Sequence, residues 1–287
     1  MNRGVIALVP LLLSIEGCTA LLAPGEAQCE AVSDCEARGF TGARCVNNLC
    51  VEGAVVDPVW GCLGDVVEPE PDKTKKVEFQ VRLAYAGDDG PVLGAEVDVC
   101  DKLDLECSGS SANFPKGLTP DAKGNVTINV LQGFDGFVRV THADVVDSRI
   151  FVGRPIVTPP SVKEVQLLRK TEYALLASFA GEEVDPTRGT AIVLSIDCGG
   201  ESGSGVRFES PNADAASLEF YLINQAPTTP PTATATDVDG FGGFFNLPVS
   251  AAVVRAYRDS DDVYIGESSF HVLANTISYV QVAPTPE

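Results

Sequence analysis

The feature that most constrains this chain is a series of short segments in which apolar and polar residues alternate. The first is V-E-F-Q-V-R-L at residues 77–83, where Val77, Phe79 and Val81 fall on one face. Such alternation predicts a strand with one buried and one solvated face. The turns between segments draw on 27 Gly and 19 Pro, together with Asp. The pattern predicts an all-β fold of antiparallel Greek-key β-sandwiches, without a helix of any length.

The predicted strands form two successive sets, and each set is long enough for one sandwich. In the first sandwich, residues 76–170, strands are predicted at residues 77–83, 95–100, 125–130, 136–141 and 162–168. In the second sandwich, residues 171–287, strands are predicted at residues 173–179, 191–197, 205–208, 217–223, 232–236, 243–247, 253–257, 263–265 and 276–282. A Pro/Thr-rich crossing at residues 225–231 interrupts the second set.

Two matching turns indicate that the tandem sandwiches arose by duplication. T-P-D-A-K-G-N-V-T-I occupies Thr119–Ile128, and T-D-V-D-G-F-G-G-F-F occupies Thr236–Phe245. In each, a strand end that carries Thr leads through an Asp and Gly hairpin into the next strand. Upstream, Pro91–Val99 corresponds to Gly203–Phe208. The separation of roughly one hundred residues suits one sandwich per repeat.

These segments are similar to the carboxypeptidase regulatory-like family of transthyretin-type β-sandwiches. Pro91–Val97 matches the family pattern G-x-P-V-x-G-A-x-V. Asp121–Gly124 and Thr236–Phe241 match T-D-x-x-G-x-F, and Leu247-Pro248 stands where the family has its next Leu-Pro pair. The resemblance implies a transthyretin-like fold for both sandwiches, and it implies almost nothing about function.

The N-terminal segment indicates export from the cytoplasm. A short positive head precedes an apolar run that is interrupted by one proline. The segment resembles a bacterial lipoprotein signal peptide, because Ile15, Gly17 and Cys18 match its Leu-x-(Gly/Ala)-Cys cleavage motif, although Glu16 is unusual there. The resemblance implies a signal peptide at residues 1–17, cleavage before Cys18 and lipid on that cysteine.

Two other interpretations of this segment are open. A plain signal peptide would be cut after an Ala-x-Ala-like site, and Ala20 and Ala23 lie nearby. A membrane-spanning helix needs about 20 apolar residues, and the apolar run is well short of that. Lipid on Cys18 is the favoured interpretation. It predicts a location in the bacterial cell envelope, at the outer membrane or the cell surface.

A small module with four cysteines follows within residues 18–54. Cys29, Cys35, Cys45 and Cys50 are separated by five, nine and four residues. A zinc site usually has C-x2–4-C pairs, often with histidine, and no His lies near these cysteines. The chain has nine cysteines, so one lipidated cysteine leaves an even number for disulfides. Disulfides are therefore favoured over zinc, with three pairings open.

The module resembles the small cysteine-rich knots near the N-termini of bacterial surface lipoproteins. That resemblance implies the pairs Cys29–Cys45 and Cys35–Cys50. Taken together, the signal peptide, the knot and the two sandwiches are similar to myxobacterial-type surface lipoproteins.

The other four cysteines are assigned structural roles, because no base that would activate a thiol is visible beside them. Cys100 and Cys107 flank a loop short enough for one disulfide. Cys62 and Cys198 then bridge to each other, or Cys62 bonds within the first sandwich and leaves Cys198 free.

A spacer at residues 55–75 joins the cysteine module to the first sandwich. Its Trp60 is the only tryptophan of the chain and stands two residues before Cys62. We expect this patch to pack on the sandwich that follows. The run that follows at residues 68–76, E-P-E-P-D-K-T-K-K, is mainly proline and charge, which predicts a stiff, solvated linker.

The net charge argues against one class of partner. The chain has 40 acidic and 20 basic residues, a formal charge of −20. A field of that sign repels nucleic acid and anionic lipid headgroups. We therefore expect no nucleic acid partner, and membrane attachment through the lipid on Cys18.

The sequence indicates a protein that is not an enzyme and uses no cofactor. Its two histidines are His142 and His271. A zinc carboxypeptidase needs His-x-x-Glu, but Val145 and Ala274 stand three residues after these histidines. The sequence also has no G-x-S-x-G elbow. We interpret His142 as a surface residue at a strand end and His271 as a cross-strand packing residue.

Two acidic runs carry ligands of the kind that calcium takes. Residues 237–240 lack the remaining acids of an EF-hand loop and are better explained as a hairpin turn. Asp259, Asp261 and Asp262 lie between predicted strands. A solvated loop is favoured there, and a surface calcium site is the alternative.

The sequence predicts a lipid-anchored envelope protein that acts as a non-catalytic binding or adhesion module for a protein or glycan partner. A structural spacer subunit of an envelope complex is the alternative, and a hydrolase is least favoured. The candidate contact residues are Phe241, Phe244 and Tyr264, which are expected at loop tips.

Overall fold

The computed structural model describes residues 29, 31–40, 43–46, 48–51, 57, 59–109, 113–159 and 164–286. The predicted signal peptide and the lipidation site Cys18 lie outside the described residues. The chain divides into two compact units, Met1–Asp57 and Pro58–Glu287. No helix in the described ranges is long and apolar enough to cross a membrane.

The first unit is a small module held together by disulfides. Its described residues form α1 (Val32–Ala37) and a hairpin of β1 (Arg44–Val46) and β2 (Leu49–Val51). Disulfides join Cys29 to Cys45 and Cys35 to Cys50, which are the pairs that the resemblance implied. Cys29 and Cys35 are buried with Ala43. So few residues bury little apolar surface, and the cross-links therefore supply much of the stability.

The described residues of the second unit form two sets of strands and one helix. The first set is β3 (Lys76–Tyr85), β4 (Glu96–Asp101), β5 (Asn125–Leu131), β6 (Gly136–Thr141), β7 (Ser148–Phe151) and β8 (Glu164–Leu167). Helix α2 (Lys170–Phe179) follows it. The second set is β9 (Gly189–Ser195), β10 (Val206–Glu209), β11 (Leu218–Ile223), β12 (Ala226–Thr228), β13 (Phe241–Leu247), β14 (Ser250–Arg258), β15 (Val263–Val272) and β16 (Ile277–Val282).

Both sets have the same topology, which supports the predicted duplication. The first set forms the strand orders β5-β3-β8 and β4-β6-β7, and the second forms β13-β9-β16 and β10-β14-β15, with hairpin β11–β12 added beside β13. In each set the last strand is parallel to the first. The matching turns precede β5 and β13, where Gly124 and Gly240 have φ of +87° and +74°. Glycine adopts this backbone conformation at little cost.

One continuous sheet joins the two sandwiches. β7 of the first pairs in parallel with β16 of the second, with Ser148 opposite Ile277 and Ile150 opposite Tyr279. The result is a central eight-stranded sheet in the order β12-β11-β13-β9-β16-β7-β6-β4. The sheet β5-β3-β8 and α2 pack on one face of it. The sheet β10-β14-β15 packs on the other.

Alternate residues of the central strands supply the two cores. Phe137 in β6 and Phe151 in β7 point towards β10-β14-β15, and Phe151 lies edge-on to Phe270 with ring centroids 6.0 Å apart. Their neighbours Val138 and Ile150 point the other way, towards β5-β3-β8. The all-β sandwich fold that the alternating sequence predicted is therefore confirmed.

One sequence prediction was wrong, because residues 173–179 form most of helix α2 instead of a strand. The segment K-T-E-Y-A-L-L-A-S-F is rich in residues that favour helices. At its start, the Glu172 carboxylate accepts a hydrogen bond from the backbone N–H of Arg169 at 2.9 Å. Tyr173 and Ala177, four residues apart, are its buried residues. A helix of 10 residues shows too few turns for its period to stand out in the sequence.

Other strand predictions also differ from the structure, and strand β12 (Ala226–Thr228) forms within the predicted crossing at residues 225–231. Residues 232–236 form no strand, and they meet β10 through Thr236, whose N–H donates to the Val206 carbonyl at 3.0 Å. β7 was not predicted, because its four residues S-R-I-F include Arg149, which hides the apolar pattern even though it is buried.

The remaining disulfides join Cys100 to Cys107 and Cys62 to Cys198, and the second closes a sequence separation of 136 residues. Of the two alternatives for Cys62, the structure therefore has the bridge to Cys198. Trp60 was expected on the first sandwich. It is buried in the core beneath β10-β14-β15 instead, because the Cys62–Cys198 bond holds its neighbour against the second sandwich.

Candidate binding groove

An open groove lies on the face of the central sheet that also carries β5-β3-β8 and α2. Its volume is about 440 Å³. β8 borders it on one side, and α2 together with the turn before β13 borders it on the other. Its floor is formed by side chains of β9, β16 and β13, namely Ile192, Leu194, Tyr279, Gln281 and Phe241.

The floor is apolar because β9 carries apolar residues where its counterpart β3 carries polar ones. Leu194 in β9 lies opposite Phe241, the residue after the glycine of its turn. In the first sandwich Arg82 lies opposite Asn125, the residue after the matching glycine. Arg82 and Leu194 are therefore equivalent positions. The charged side chain faces solvent in β3, whereas the apolar one faces the groove in β9.

The first wall of the groove is the edge strand β8, which pairs with β3 alone in the described part of the chain. The carbonyl of Leu167 points towards β3 and accepts a hydrogen bond from the N–H of Ala86 at 3.1 Å. Backbone groups of successive strand residues point to opposite sides. The N–H and C=O groups of Glu164 and Gln166 therefore point away from β3, into the groove.

The side chains of β8 are held away from this open edge. The Glu164 carboxylate pairs with the guanidinium of Arg82 at 2.5 Å. The Gln166 amide donates to the carboxylate of Asp89 at 3.3 Å. Both contacts lie on the outer face of β5-β3-β8, so the backbone edge of β8 is left accessible.

The opposite wall combines α2 with the turn before β13. Leu176 lines the groove from α2, and on the same helix Leu175 and Phe179 are 53% and 68% exposed. Asp239 lines it from the turn, beside Val238, which is 78% exposed. Large exposed apolar side chains, such as those on these two elements, are typical of interaction sites.

The chemistry of the groove is that of a binding surface. Glu164 and Asp239 are the charged residues among its described lining, and both are acidic. Burial raises the pKa of the Tyr279 hydroxyl, so this group stays protonated and neutral on the floor. Such a surface suits an apolar ligand that also carries hydrogen-bonding groups or positive charge.

The predicted contact residues Phe241, Phe244 and Tyr264 do not lie at loop tips, since all three are in strands. Phe241 begins β13 and lines the groove. Phe244 is 3% exposed and packs in the core, so it has no surface to offer a partner. Phe244 follows the turn closely in the sequence, but it lies within β13, where it pairs with Ala191 of β9. Tyr264 lies on β15, edge-on to Tyr257 with ring centroids 5.7 Å apart.

Two of the three candidate calcium residues form ion pairs with arginines. Asp261 pairs with Arg258, and Asp262 pairs with Arg207 at 2.9 Å. Among the described residues, the one cluster with metal-ligand spacing consists of three disulfide-bonded cysteines, Cys29, Cys35 and Cys50. The acidic loop is therefore explained by ion pairs, and calcium binding stays an untested alternative.

Both histidines lie at or within strands. His142 directly follows β6, and its Nδ1 accepts a hydrogen bond from the N–H of Asp144 at 3.2 Å. His271 lies in β15, opposite Ala251 in β14. These positions agree with a strand-end residue and a cross-strand residue.

Sequence reasoning missed the groove because the groove depends on how the sandwiches join. The available signal was the run G-T-A-I-V-L-S of β9, which is apolar at successive positions instead of alternating. A strand of that composition has both faces covered. This run predicts that both faces of β9 are covered. It does not show which part of the second face stays uncovered and forms the groove.

No protein-family model matches the chain, and no curated protein matches it. Among solved structures, the Bacillus anthracis TIE protein has 12% identity over 73% of this chain and 34% of that chain, with a TM-score of 0.23. BcpA, the major pilin subunit of Bacillus cereus, has 12% identity over 74% of this chain and 70% of that chain, with a TM-score of 0.23. The shaft pilin SpaA from Lactobacillus rhamnosus GG has 13% identity over 74% of this chain and 98% of that chain, with a TM-score of 0.22.

This chain thus spans about a third of the length of the TIE protein. At TM-scores of 0.22 and 0.23 these likenesses carry no argument about function. The resemblances to carboxypeptidase regulatory-like domains and to myxobacterial-type surface lipoproteins stay predictions.

Proposed function

We propose that this protein is a non-catalytic binding module of the bacterial cell envelope and that it captures a protein partner in the groove beside β8. The observation that carries the proposal is the combination of an apolar floor with an open strand edge in a groove of about 440 Å³. That volume lies in the range of natural ligand sites. A glycan partner fits this site less well, because the floor offers few polar side chains.

The proposed attachment to the membrane is through lipid on Cys18. A chain with a formal charge of −20 gains nothing from anionic headgroups, so acyl chains would supply the attachment. Metabolic labelling with an alkyne-tagged fatty acid tests this directly. We expect label on the natural chain and none on Cys18→Ala. Label that persists on Cys18→Ala would contradict lipidation at this cysteine.

A rigid spacer is the second candidate, and two observations favour it. The central sheet runs without interruption through both sandwiches. In addition, the Cys62–Cys198 disulfide ties the spacer segment to the second sandwich. Both features limit extension, as a subunit that holds a partner at a fixed distance requires.

Site-specific photocrosslinking on intact cells separates these functions. A photoreactive phenylalanine analogue would replace Phe241 in the groove, Tyr264 on β15, or Gln80 on the outer face of β3. We expect a discrete crosslinked protein from position 241, and at most background from position 80. The binding proposal fails if position 241 yields no adduct, or the same adducts as position 80. Adducts from position 264 alone would move the binding site to the outer face of β10-β14-β15.

A further inference from the structure

We propose that the groove binds an extended segment of another protein as an added β-strand on the free edge of β8, with apolar side chains towards the floor and basic side chains towards solvent. This inference rests on the proposed binding function and specifies the partner's conformation and chemistry.

The open edge of β8 provides main-chain recognition. The N–H and C=O groups of Glu164 and Gln166 point into the groove, and β8 pairs with no second strand in the described part of the chain. An extended peptide beside β8 would therefore form up to about four main-chain hydrogen bonds. A ligand made only of hydrocarbon would leave these groups unpaired at a cost.

The edge has a defined length. Just past the end of β8, the carbonyl of Leu168 points to the same side and accepts a hydrogen bond from the N–H of Val146 at 3.1 Å. That contact closes the edge at its C-terminal end. The open part spans Glu164 to Gln166, so a segment of about four residues, roughly 13 Å long, fills it.

The floor sets the side-chain pattern of the segment. A strand added to β8 would extend β5-β3-β8 over the second sandwich and lie above β16 and β9, a sheet-packing distance of about 10 Å away. Every second side chain of the segment would then point at Leu194, Phe241 and Tyr279. Those positions require apolar residues, and the intervening positions face solvent.

The negative charge of the groove and of the whole chain favours a positively charged partner. Asp239 supplies negative charge at the groove, since the Glu164 carboxylate is paired with Arg82, and the whole chain carries a formal charge of −20. A second copy of this chain would bring the same negative charge, whereas a segment with Lys or Arg at its outward positions would be attracted. The favoured occupant is therefore a basic, alternating segment of a different protein.

Binding of a fluorescein-labelled Lys-Val-Lys-Ile-Lys-Val-Lys peptide to the purified full-length chain, measured by fluorescence anisotropy, tests the inference. Gln166→Pro removes the outward N–H without touching the ladder to β3, and we expect about tenfold weaker binding. Gln166→Ala is the matched control, because it removes the same side chain and keeps the N–H. We expect its affinity to stay within about twofold of the natural chain.

N-methylated versions of the probe keep the test informative if Gln166→Pro fails to fold. In an added strand, alternate amides face β8 and the others face away. Methylation of the amides that face β8 should abolish binding, and methylation of the amides that face away should leave binding nearly unchanged. Equal effects of both sets overturn strand addition. A probe with the same composition but contiguous apolar residues should bind at least about tenfold more weakly, since its side chains no longer match the floor.

The other occupants give distinct results. Self-association that Gln166→Pro abolishes and Gln166→Ala preserves would assign the edge to a second copy and overturn the proposal. Equal binding of a Glu-Val-Glu-Ile-Glu-Val-Glu peptide would overturn the charge argument. Failure of every peptide, together with a crosslinked partner at position 241 on cells, would refute strand addition and leave the proposed binding function standing.

Discussion

The two sandwiches share one topology, but they expose opposite sheets to solvent. In the first, β3 alternates between solvent-facing and buried residues as far as Leu83, and its outward residues Glu78 and Gln80 are exposed. In the second, the equivalent strand β9 has Thr190 and Ile192 at those positions, and both are buried. The difference arises because β16 and β9 continue the central sheet, whose second face is covered at these two positions by α2, Val146 and Leu168.

The other sheet of each sandwich shows the reverse. The outer face of β4-β6-β7 is covered, and it buries Asp98 and Arg149. The outer face of β10-β14-β15 is open and carries Arg255 paired with Glu267. Joining the β4-β6-β7 sheet to the β13-β9-β16 sheet therefore buries one outer face in each repeat. The groove is the part of the buried face of β13-β9-β16 that remains uncovered, next to β8.

The largest effect is expected from the disulfide that fastens the spacer to the second sandwich. Replacing Cys62 and Cys198 together by alanine should cost about 5 kcal/mol of unfolding free energy, because the bond closes a loop of 136 residues. Replacing Cys100 and Cys107, seven residues apart in the first sandwich, should cost about 2 kcal/mol. Urea unfolding of both variants measures the difference. Equal losses would contradict the chain-entropy explanation.

A smaller effect separates the equivalent strands β9 and β3. Ile192→Gln puts an amide into the covered face of β9 and should cost about 3 kcal/mol, through lost apolar burial and unpaired polar atoms. Gln80→Ala, at the equivalent position of β3, should change stability by less than about 0.5 kcal/mol. Thermal unfolding of the two variants is the check. A mild effect of Ile192→Gln would mean that Ile192, which lines the groove and is 6% exposed, is less buried than the structure shows.

The sequence predicted those parts of the fold that depend on local pattern. The alternation of β3, the matching turns and the short Cys100–Cys107 loop are local features, and the structure has them. The pairing of β7 with β16 is different, since it joins strands more than about one hundred residues apart through main-chain bonds that no side chain specifies. The groove depends on that pairing, so it could not be predicted. Of the three contact residues proposed from sequence, Phe241 alone lines the groove.

A buried and an exposed ion pair provide the next comparison. Asp98 accepts a hydrogen bond from the N–H of Gly117 at 2.9 Å and pairs with Arg139 at 2.5 Å. Burial alone raises the pKa of Asp98, but the Gly117 and Arg139 contacts outweigh it and lower the pKa below its usual 3.8. The pair therefore contributes stability above the unfolded-state pKa, and that stability is lost as pH falls through the folded-state pKa.

Asp98→Asn should cost about 2 kcal/mol at neutral pH and reduce the loss of stability in acid. Glu267→Gln, which breaks the exposed pair with Arg255 on the open sheet, should cost less than about 0.5 kcal/mol. Unfolding free energies from about pH 7 down to about pH 3 test both expectations. If the two variants behave alike, the outer face of β4-β6-β7 is not covered as described.

The smallest effect concerns His271, on β15 near the first sandwich. Burial lowers its pKa below the usual 6.5, and the positive charges of Arg149 and Lys102 lower it further. The folded state therefore resists protonation, and stability should decline as pH falls below 6.5 until the folded-state pKa is passed. His271→Gln should remove this decline, which we expect to be less than about 0.5 kcal/mol because the ring is partly exposed. Urea midpoints at about pH 7.5 and about pH 5.5 measure it. An unchanged pH dependence in the variant would assign the decline to other groups.

The most direct test of the open edge is hydrogen exchange of individual β8 amides, followed by NMR. The N–H groups of Val165 and Leu167 point towards β3 and should exchange slowly, whereas that of Gln166 points into the groove and should exchange fast. Saturation with the Lys-Val-Lys-Ile-Lys-Val-Lys peptide should slow the Gln166 amide and leave its two neighbours unchanged. A Gln166 amide that is already protected in the free protein, or that keeps its fast exchange when the peptide is bound, would contradict an edge that is open and recognised by strand addition.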